Sequence, residues 1–213
     1  MPRMTELYNQ ILAAGPLDWL ALITSLAYVW LAARDNNWCW LFAAVSTAVW
    51  AWQSFVVYQL ISDGFLQLFY FVMAGVGIWR WRRNKVGLIE QGSTQEASLD
   101  TEMIRPNRDI QSMTTREHAY VLLFGLLGGW AMYMFVSSIF TSAATLPDAL
   151  TTAFSIATTF LLVWRRLENW LYWIVIDAVY VWIYFNTGAT LFALMMVINI
   201  GMAIYGYLNW RRK

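Results

Sequence analysis

Seven apolar runs with few charged residues, separated by short polar segments, dominate the chain. A helix needs about 20 apolar residues to cross a bilayer core, and flanking Trp and Arg side chains extend shorter runs to the interface. The pattern therefore predicts an all-α integral membrane protein with seven transmembrane helices. The polar stretch 84–117 shows little periodicity and is predicted to be a flexible loop. The seven runs are 17–33, 38–60, 65–81, 119–140, 150–164, 170–185 and 190–208.

The positive charges lie almost entirely on one side of this predicted bundle. Every Lys and Arg except Arg3 falls at the end of the third run, in the segments after the first, third and fifth runs, or at the C-terminus. The positive-inside rule then places the N-terminus outside and the C-terminus and loop 84–117 in the cytoplasm. Topology accounts for the basic runs 80–85 and 211–213, so no nucleic-acid partner is expected.

Composition narrows the class of protein further. Apolar residues make up 60% of the chain and charged residues 13%, against about a quarter charged in soluble domains. A single Cys and a single His leave no disulfide and no Cys or His metal cluster, so neither a metal nor a cofactor is expected. The chain has no Gly-x4-Gly-Lys phosphate loop. An enzyme would also need a nucleophile, a base or a metal set within the spans, and the sequence presents none.

The chain also repeats itself. The segment 37–40 (Asn-Trp-Cys-Trp) resembles 169–173 (Asn-Trp-Leu-Tyr-Trp), and Gly77–Trp81 resembles Gly206–Trp210. Two sets of three spans joined by one inverting span give a parallel 3+1+3 repeat, the arrangement of the SWEET sugar carriers. Alternatively, Asn-Trp and Trp-Arg-Arg are ordinary interfacial anchors. The predicted units are a first repeat with the N-terminal segment (1–83), the loop (84–117), a linker helix (118–141) and a second repeat (147–213).

One carboxylate lies deep in a predicted span. Asp177 follows Trp170 and Trp173 at helical spacing, so the three side chains share one face. An acid at bilayer depth costs about 2.5–3.5 kcal/mol and requires a partner, a water-filled cavity or a ligand. Two indoles beside a carboxylate suit a flat organic cation. The alternative is a structural acid that is hydrogen-bonded across helices.

Further polar residues within the spans are weaker candidates for ligand binding. Gln67 is the polar residue of the apolar run 65–77, where an amide either contacts a ligand or bonds a neighbouring backbone group. Asn199, Tyr205 and Gln53 complete the candidates, with packing as the alternative role for each.

The motifs Glu168-Asn-Trp-x-x-Trp-x-x-x-Asp177 and Gln67-x9-Gly77-x3-Trp81 resemble those of the PnuC-type vitamin transporters, over about residues 17–213. The resemblance implies that Gln67, Trp170 and Trp173 contribute to a substrate site, with Asp177 where Asn is common in the family. The chain also departs from the family pattern at Gly75 and Tyr205, where some members have Asn.

Functionally, the resemblance implies facilitated diffusion of a vitamin across the bacterial inner membrane. A cytoplasmic kinase then traps the vitamin without having to contact the transporter. An acid facing the ligand favours a fixed cation, so nicotinamide riboside is the favoured substrate, thiamine is the alternative, and neutral riboflavin fits less well. The competing classes are an integral-membrane enzyme and a scaffold, and a scaffold would explain neither the central acid nor the duplication. The sequence leaves a homo-oligomer open.

Overall fold

A computed structural model of the chain describes residues 2–57, 61–95, 110–139 and 146–213, and these ranges are almost entirely helical. The all-helical prediction is confirmed, and each predicted run corresponds to one of the helices α2 to α8. By length and hydropathy, α2, α3 with its π turn, α5, α6 and α8 qualify as membrane spans, so the protein crosses the membrane several times. The helices are α1 (Pro2–Ala13), α2 (Pro16–Ala33), α3 (Cys39–Trp52, followed by a π turn at Gln53–Val57), α4 (Ile61–Gln95), α5 (Thr115–Ile139), α6 (Leu146–Val163), α7 (Asn169–Thr187) and α8 (Thr190–Arg211).

The structure corrects the predicted loop 84–117 at both of its ends. Helix α4 continues to Gln95, because no proline interrupts its hydrogen-bond ladder. At the other end, the backbone of Gln111 pairs with the α6–α7 turn. Its N–H donates to the Arg165 carbonyl at 3.1 Å, and its carbonyl accepts from the Leu167 N–H at 3.0 Å. Residues 96–109 lie outside the described residues, so the rest of this prediction stays untested.

The α2–α3 and α6–α7 turns are built alike, 130 positions apart. Asp35 and Arg165 take the left-handed conformation, with φ of 60° and 55°. Their N–H groups donate to the carbonyls of Ala32 and Leu162 at 2.9 and 3.0 Å. The N–H of the following residue, Asn36 or Arg166, donates to the carbonyl of Leu31 or Leu161, in each case at 2.9 Å. Both helices therefore end in a Schellman motif, although neither left-handed residue is the glycine that this motif usually carries.

These two left-handed residues also bind each other. The Arg165 guanidinium contacts the Asp35 carboxylate at 3.0 Å, and both side chains are 7% exposed. Lys213, just past α8, contacts the same carboxylate at 3.2 Å. The pair thus ties α2–α3 to α6–α7 at one end of the bundle. We call this end, formed by the two turns and the end of α8, the basic end.

Four tryptophans form the core just inside the basic end. Trp40 packs edge-on against Trp81 at 5.2 Å and 90°, and Trp170 packs edge-on against Trp210 at 5.4 Å and 88°. The Trp81 indole N–H donates to the carbonyl of Val163 at the end of α6, at 3.2 Å. The Trp210 N–H donates to a carbonyl at the end of α2, at 3.1 Å. Each hydrogen bond thus crosses from one set of three helices to the other.

Candidate functional site

An elongated cavity of about 650 Å³ lies between α2, α3, α4, α6, α7 and α8. Its volume falls within the range typical of small-molecule sites. Along α3 its wall runs from Trp40, at the basic end, to Ser54 in the π turn, which corresponds to about 21 Å of helix rise. The cavity therefore follows the long axis of the bundle, as a transport path would.

The structure brings the four main candidates of the sequence together on the wall of this cavity. Trp170, Trp173 and Asp177 lie along one face of α7, and Gln67 faces the same space from α4. Asn199 joins them from α8. The helical spacing of the α7 residues accounts for their shared face, since positions three and four apart are neighbours on a helix surface.

Two of the weaker candidates lie elsewhere. Tyr205 is 39% exposed and stacks on Trp30 at 5.1 Å, on the outside of the bundle. It precedes Gly206, whose face meets the Trp170 ring, so it points about 100° away around α8. At the start of the π turn, the Gln53 amide donates a hydrogen bond to the Asp18 carboxylate of α2. Gln53 therefore links the end of α3 to α2 and does not line the cavity.

Asp177 is 6% exposed, and it faces the cavity without a cationic partner in the described part of the chain. The ion pairs among described residues join Arg165 and Lys213 to Asp35, and Arg166 to Glu117. Among the lining residues that the structure describes there is no Lys, Arg or His. An acid in such surroundings is suited to a cationic ligand, since a low dielectric strengthens the interaction between opposite charges.

Further polar groups on the wall lack hydrogen-bond partners among the described residues. These are the indole nitrogens of Trp40 and Trp170 and the Asn199 carbonyl oxygen. Buried polar groups in native structures are nearly always hydrogen-bonded, so these unpaired atoms stand out beside the cavity.

Trp40 was missed by the sequence analysis. The sequence comparison matched Asn37 with Asn169, which places Trp38 opposite Trp170. In the structure the matched turns set the register two residues later, so Trp40 corresponds to Trp170, while Trp38 is 64% exposed. The correct register follows from aligning the two hydrogen-bonded turns. The sequence does not reveal these turns, because neither contains a glycine.

With this register, most of the cavity wall consists of matched positions. Trp40 and Trp170, 130 positions apart, both line the cavity, as do Ser25 and Ser155. Several other matched pairs differ in chemistry. At the same spacing of 130 they are Ala43 and Trp173, and Thr47 and Asp177; between α4 and α8, where the spacing is 129, they are Gln67 and Met196, and Tyr70 and Asn199. The two sets of three helices thus supply matching walls with different side chains.

Comparison with known proteins assigns the family. The sequence model of the family described as nicotinamide mononucleotide transporters matches residues 15–212. A curated relative, the nicotinamide riboside transporter PnuC of Neisseria mucosa, is 24% identical over 208 residues, covering 93% of this chain and 74% of the relative. The crystal structure of the vitamin B3 transporter PnuC superposes with a TM-score of 0.69 at 22% identity, covering 99% of this chain and 88% of that one. The motifs around Gln67 and Trp170 had predicted this family. Because the family model spans nearly the whole sequence, the chain belongs to the PnuC family of membrane transporters and is not an enzyme.

Proposed function

We propose that the protein carries an unphosphorylated, cationic vitamin across the membrane by facilitated diffusion, with nicotinamide riboside as the substrate. The observation that carries the proposal is Asp177, which faces a cavity whose described wall supplies no cation. Trp173, one turn away on α7, adds an aromatic face that attracts a flat cation. The name of the curated relative supports the choice of riboside.

The charge of the ligand discriminates between the two substrates for which related proteins are named, the mononucleotide and the riboside. A mononucleotide carries a phosphate dianion, and a phosphate in this cavity would lie near the Asp177 carboxylate with no Lys, Arg or His on the described wall. Burying an anion without a counter-ion costs several kcal/mol. Nicotinamide riboside carries a pyridinium cation and no phosphate, so its charge complements the acid. Thiamine is the alternative, because it is also a fixed cation and would complement the acid.

For the architecture, we propose the parallel 3+1+3 arrangement, with α2–α4 and α6–α8 as the two repeats and α5 as the linker helix. The matched turns at Asp35 and Arg165 support it, as do the crossed hydrogen bonds of Trp81 and Trp210. In this arrangement the two repeats rock against each other around a central site. The distribution of basic residues favours a cytoplasmic basic end in the inner membrane, and a cytoplasmic kinase would then trap the vitamin.

Uptake into proteoliposomes tests the transport proposal. Labelled nicotinamide riboside should equilibrate without an ion gradient, and nicotinamide mononucleotide should neither enter nor compete. Mononucleotide uptake, or uphill accumulation that collapses with an ionophore, would overturn the proposal.

Binding to purified variants tests the role of the acid. Asp177→Ala should weaken binding of the riboside by about 10- to 100-fold, since it removes a contact to a charged group. Trp182→Ala is the matched control, because Trp182 lies on the same helix but is 59% exposed at the bundle surface. Asp177→Asn should weaken thiamine binding more than riboside binding. Unchanged affinity in Asp177→Ala would make the acid structural.

A further inference from the structure

Three aromatic rings in contact cross the cavity between its opposite walls. The ring of Trp50 on α3 lies 5.8 Å from that of Phe192 on α8, which in turn lies 5.6 Å from that of Tyr184 on α7. All three residues line the cavity. In the described chain, no Cα of α3 comes within 8 Å of a Cα of α7 or α8. The rings therefore bridge the space between the two halves of the bundle, and we call them the aromatic row.

The aromatic row divides the cavity along its length. Tyr184 lies seven residues beyond Asp177 on α7, which corresponds to about 10 Å of helix rise. Thr187 and Ala189 line the cavity beyond the row, where α7 turns into α8. We call this end of the cavity, opposite the basic end, the far end. A ligand that enters from the far end must therefore pass the row before it reaches Asp177.

The two ends of the cavity are closed to different degrees. At the basic end, Trp40 and Trp170 are at most 2% exposed, and the ion pair of Asp35 with Arg165 joins the two halves. At the far end, Phe192 is 36% exposed, and it meets the other half of the bundle through a contact between rings. Displacing one partly exposed ring would open the row, whereas opening the basic end requires breaking a buried ion pair.

Helix α1 fixes the start of α8, which carries Phe192. The Gln10 side chain accepts a hydrogen bond from the N–H of Leu191, the residue before Phe192, at 2.9 Å. Its amide also donates to the Gly188 carbonyl at 2.7 Å, so the turn between α7 and α8 is held at both of its ends. Only two residues separate α1 from α2, so this contact ties the first half of the bundle to the turn. Gln10 is therefore placed to act on the row as a positioning residue.

We propose that the aromatic row is a thin gate, with Phe192 as the ring that moves and Gln10 as the residue that holds it closed. When Phe192 turns away, the far end connects to the part of the cavity that contains Asp177. The gate rests on the proposed function, because it serves a ligand that crosses the membrane through this cavity. The core tryptophans stay in place during this step, so the cavity opens to one side at a time.

Thiol labelling tests the gate without any vitamin. In a Cys39→Ala background, Met196→Cys places a thiol on the cavity wall one turn behind Phe192, and Thr187→Cys places one in front of the row. The reagent is 2-(trimethylammonium)ethyl methanethiosulfonate, added to the protein in detergent. The thiol at position 196 should react much more slowly than the thiol at position 187. Phe192→Ala should speed labelling at position 196 by about 5- to 100-fold, since it removes two ring contacts, and should leave labelling at position 187 unchanged.

Further variants separate the gate from a general loosening of the fold. Gln10→Leu should speed labelling at position 196 by a smaller factor, because Phe192 keeps its ring. Phe192→Tyr keeps the ring contacts and should label as slowly as the parent protein. Leu194→Ala is the matched control and should change nothing, because Leu194 lies on α8 but is 45% exposed at the bundle surface. In a Phe192→Ala protein that retains the native Cys39, this buried thiol should stay unreactive.

Equal labelling at position 196 with and without Phe192→Ala would overturn the gate, as would labelling there as fast as at position 187 in the parent protein. Faster labelling of Cys39 in Phe192→Ala would show that the whole fold has loosened, and it would overturn the gate as well. None of these results depends on which ligand is carried. If labelling follows the expectations but proteoliposomes take up no nicotinamide riboside, the proposed function fails while the gate stands as a property of the cavity.

Discussion

Alanine at Gly206 provides a sharp test of how firmly the Trp170 indole is held. An added Cβ at Gly206 would lie 2.7 Å from two atoms of the Trp170 ring and 2.9 Å from a third, closer than such contacts are tolerated. The ring cannot easily retreat, because it is 2% exposed and packs edge-on against Trp210. We therefore expect Gly206→Ala to push the indole into the cavity or to bend α8.

The magnitude follows from the overlap. Overpacking a well-packed core costs about 1–3 kcal/mol, whereas alanine gains up to about 1 kcal/mol over glycine in helix propensity. Gly201→Ala on the same helix is the matched control, because an added Cβ there meets nothing within 4 Å. The difference between the two variants in the free energy of unfolding thus isolates the overlap, which we expect to be about 1–3 kcal/mol against Gly206→Ala.

Denaturant unfolding in detergent measures the stability difference, and calorimetric titration with nicotinamide riboside measures the effect on the site. Gly206→Ala should also weaken binding, because Trp170 lines the cavity, whereas Gly201→Ala should bind like the wild type. Equal stability and equal affinity in the two variants would refute the view that the indole is fixed. In α4, Gly77→Ala offers the same comparison for the other half of the bundle, because its added Cβ would overlap the Trp40 ring. Gly75→Ala is its control, since an added Cβ there meets nothing within 4 Å.

Two further contacts give predictions of stability. Arg165→Met should cost somewhat less than the about 3–5 kcal/mol of an uncompensated buried charge in thermal or denaturant unfolding, because Lys213 still contacts Asp35, and adding Lys213→Met should bring the loss to that full range. A single variant as stable as the wild type would contradict this. Gln10 on α1 donates to the Gly188 carbonyl at 2.7 Å and accepts from the Leu191 N–H at 2.9 Å. Gln10→Leu should therefore lower the free energy of unfolding by about 1–3 kcal/mol and speed hydrogen exchange of the Leu191 amide. Unchanged exchange would show that Gln10 does not hold the start of α8 in place.

The apolar runs were enough to place helices α2 to α8, because in a membrane protein length and hydropathy determine where helices form. Helix α1 was not predicted, since it is short and mixed in character rather than a continuous apolar run. The loop prediction was wrong for residues 84–95 for a related reason. Low hydrophobicity shows where a helix leaves the bilayer, but it does not show where the helix ends.

The candidate site was predictable where one helix carries it. The spacing of Trp170, Trp173 and Asp177 defines a shared face from the sequence alone. The contribution of Trp40 could not be found in this way, because it depends on the register between two distant segments. That register is set by left-handed residues, and here they are Asp35 and Arg165 rather than the glycine that would have marked the turns.

The matched positions separate what builds the cavity from what selects its ligand. Identical residue types recur where the two halves pack, as at Trp40 and Trp170, which each lie on a glycine of a neighbouring helix. Different residues occur midway along the cavity, where Thr47 is the equivalent in one half of Asp177 in the other. A cavity between two identical walls would accept a ligand equally well in either of two opposite orientations. Because the acid lies on only one of the two walls among the described residues, we expect a cation to bind in a single orientation, which the proposed rocking of the two repeats would preserve.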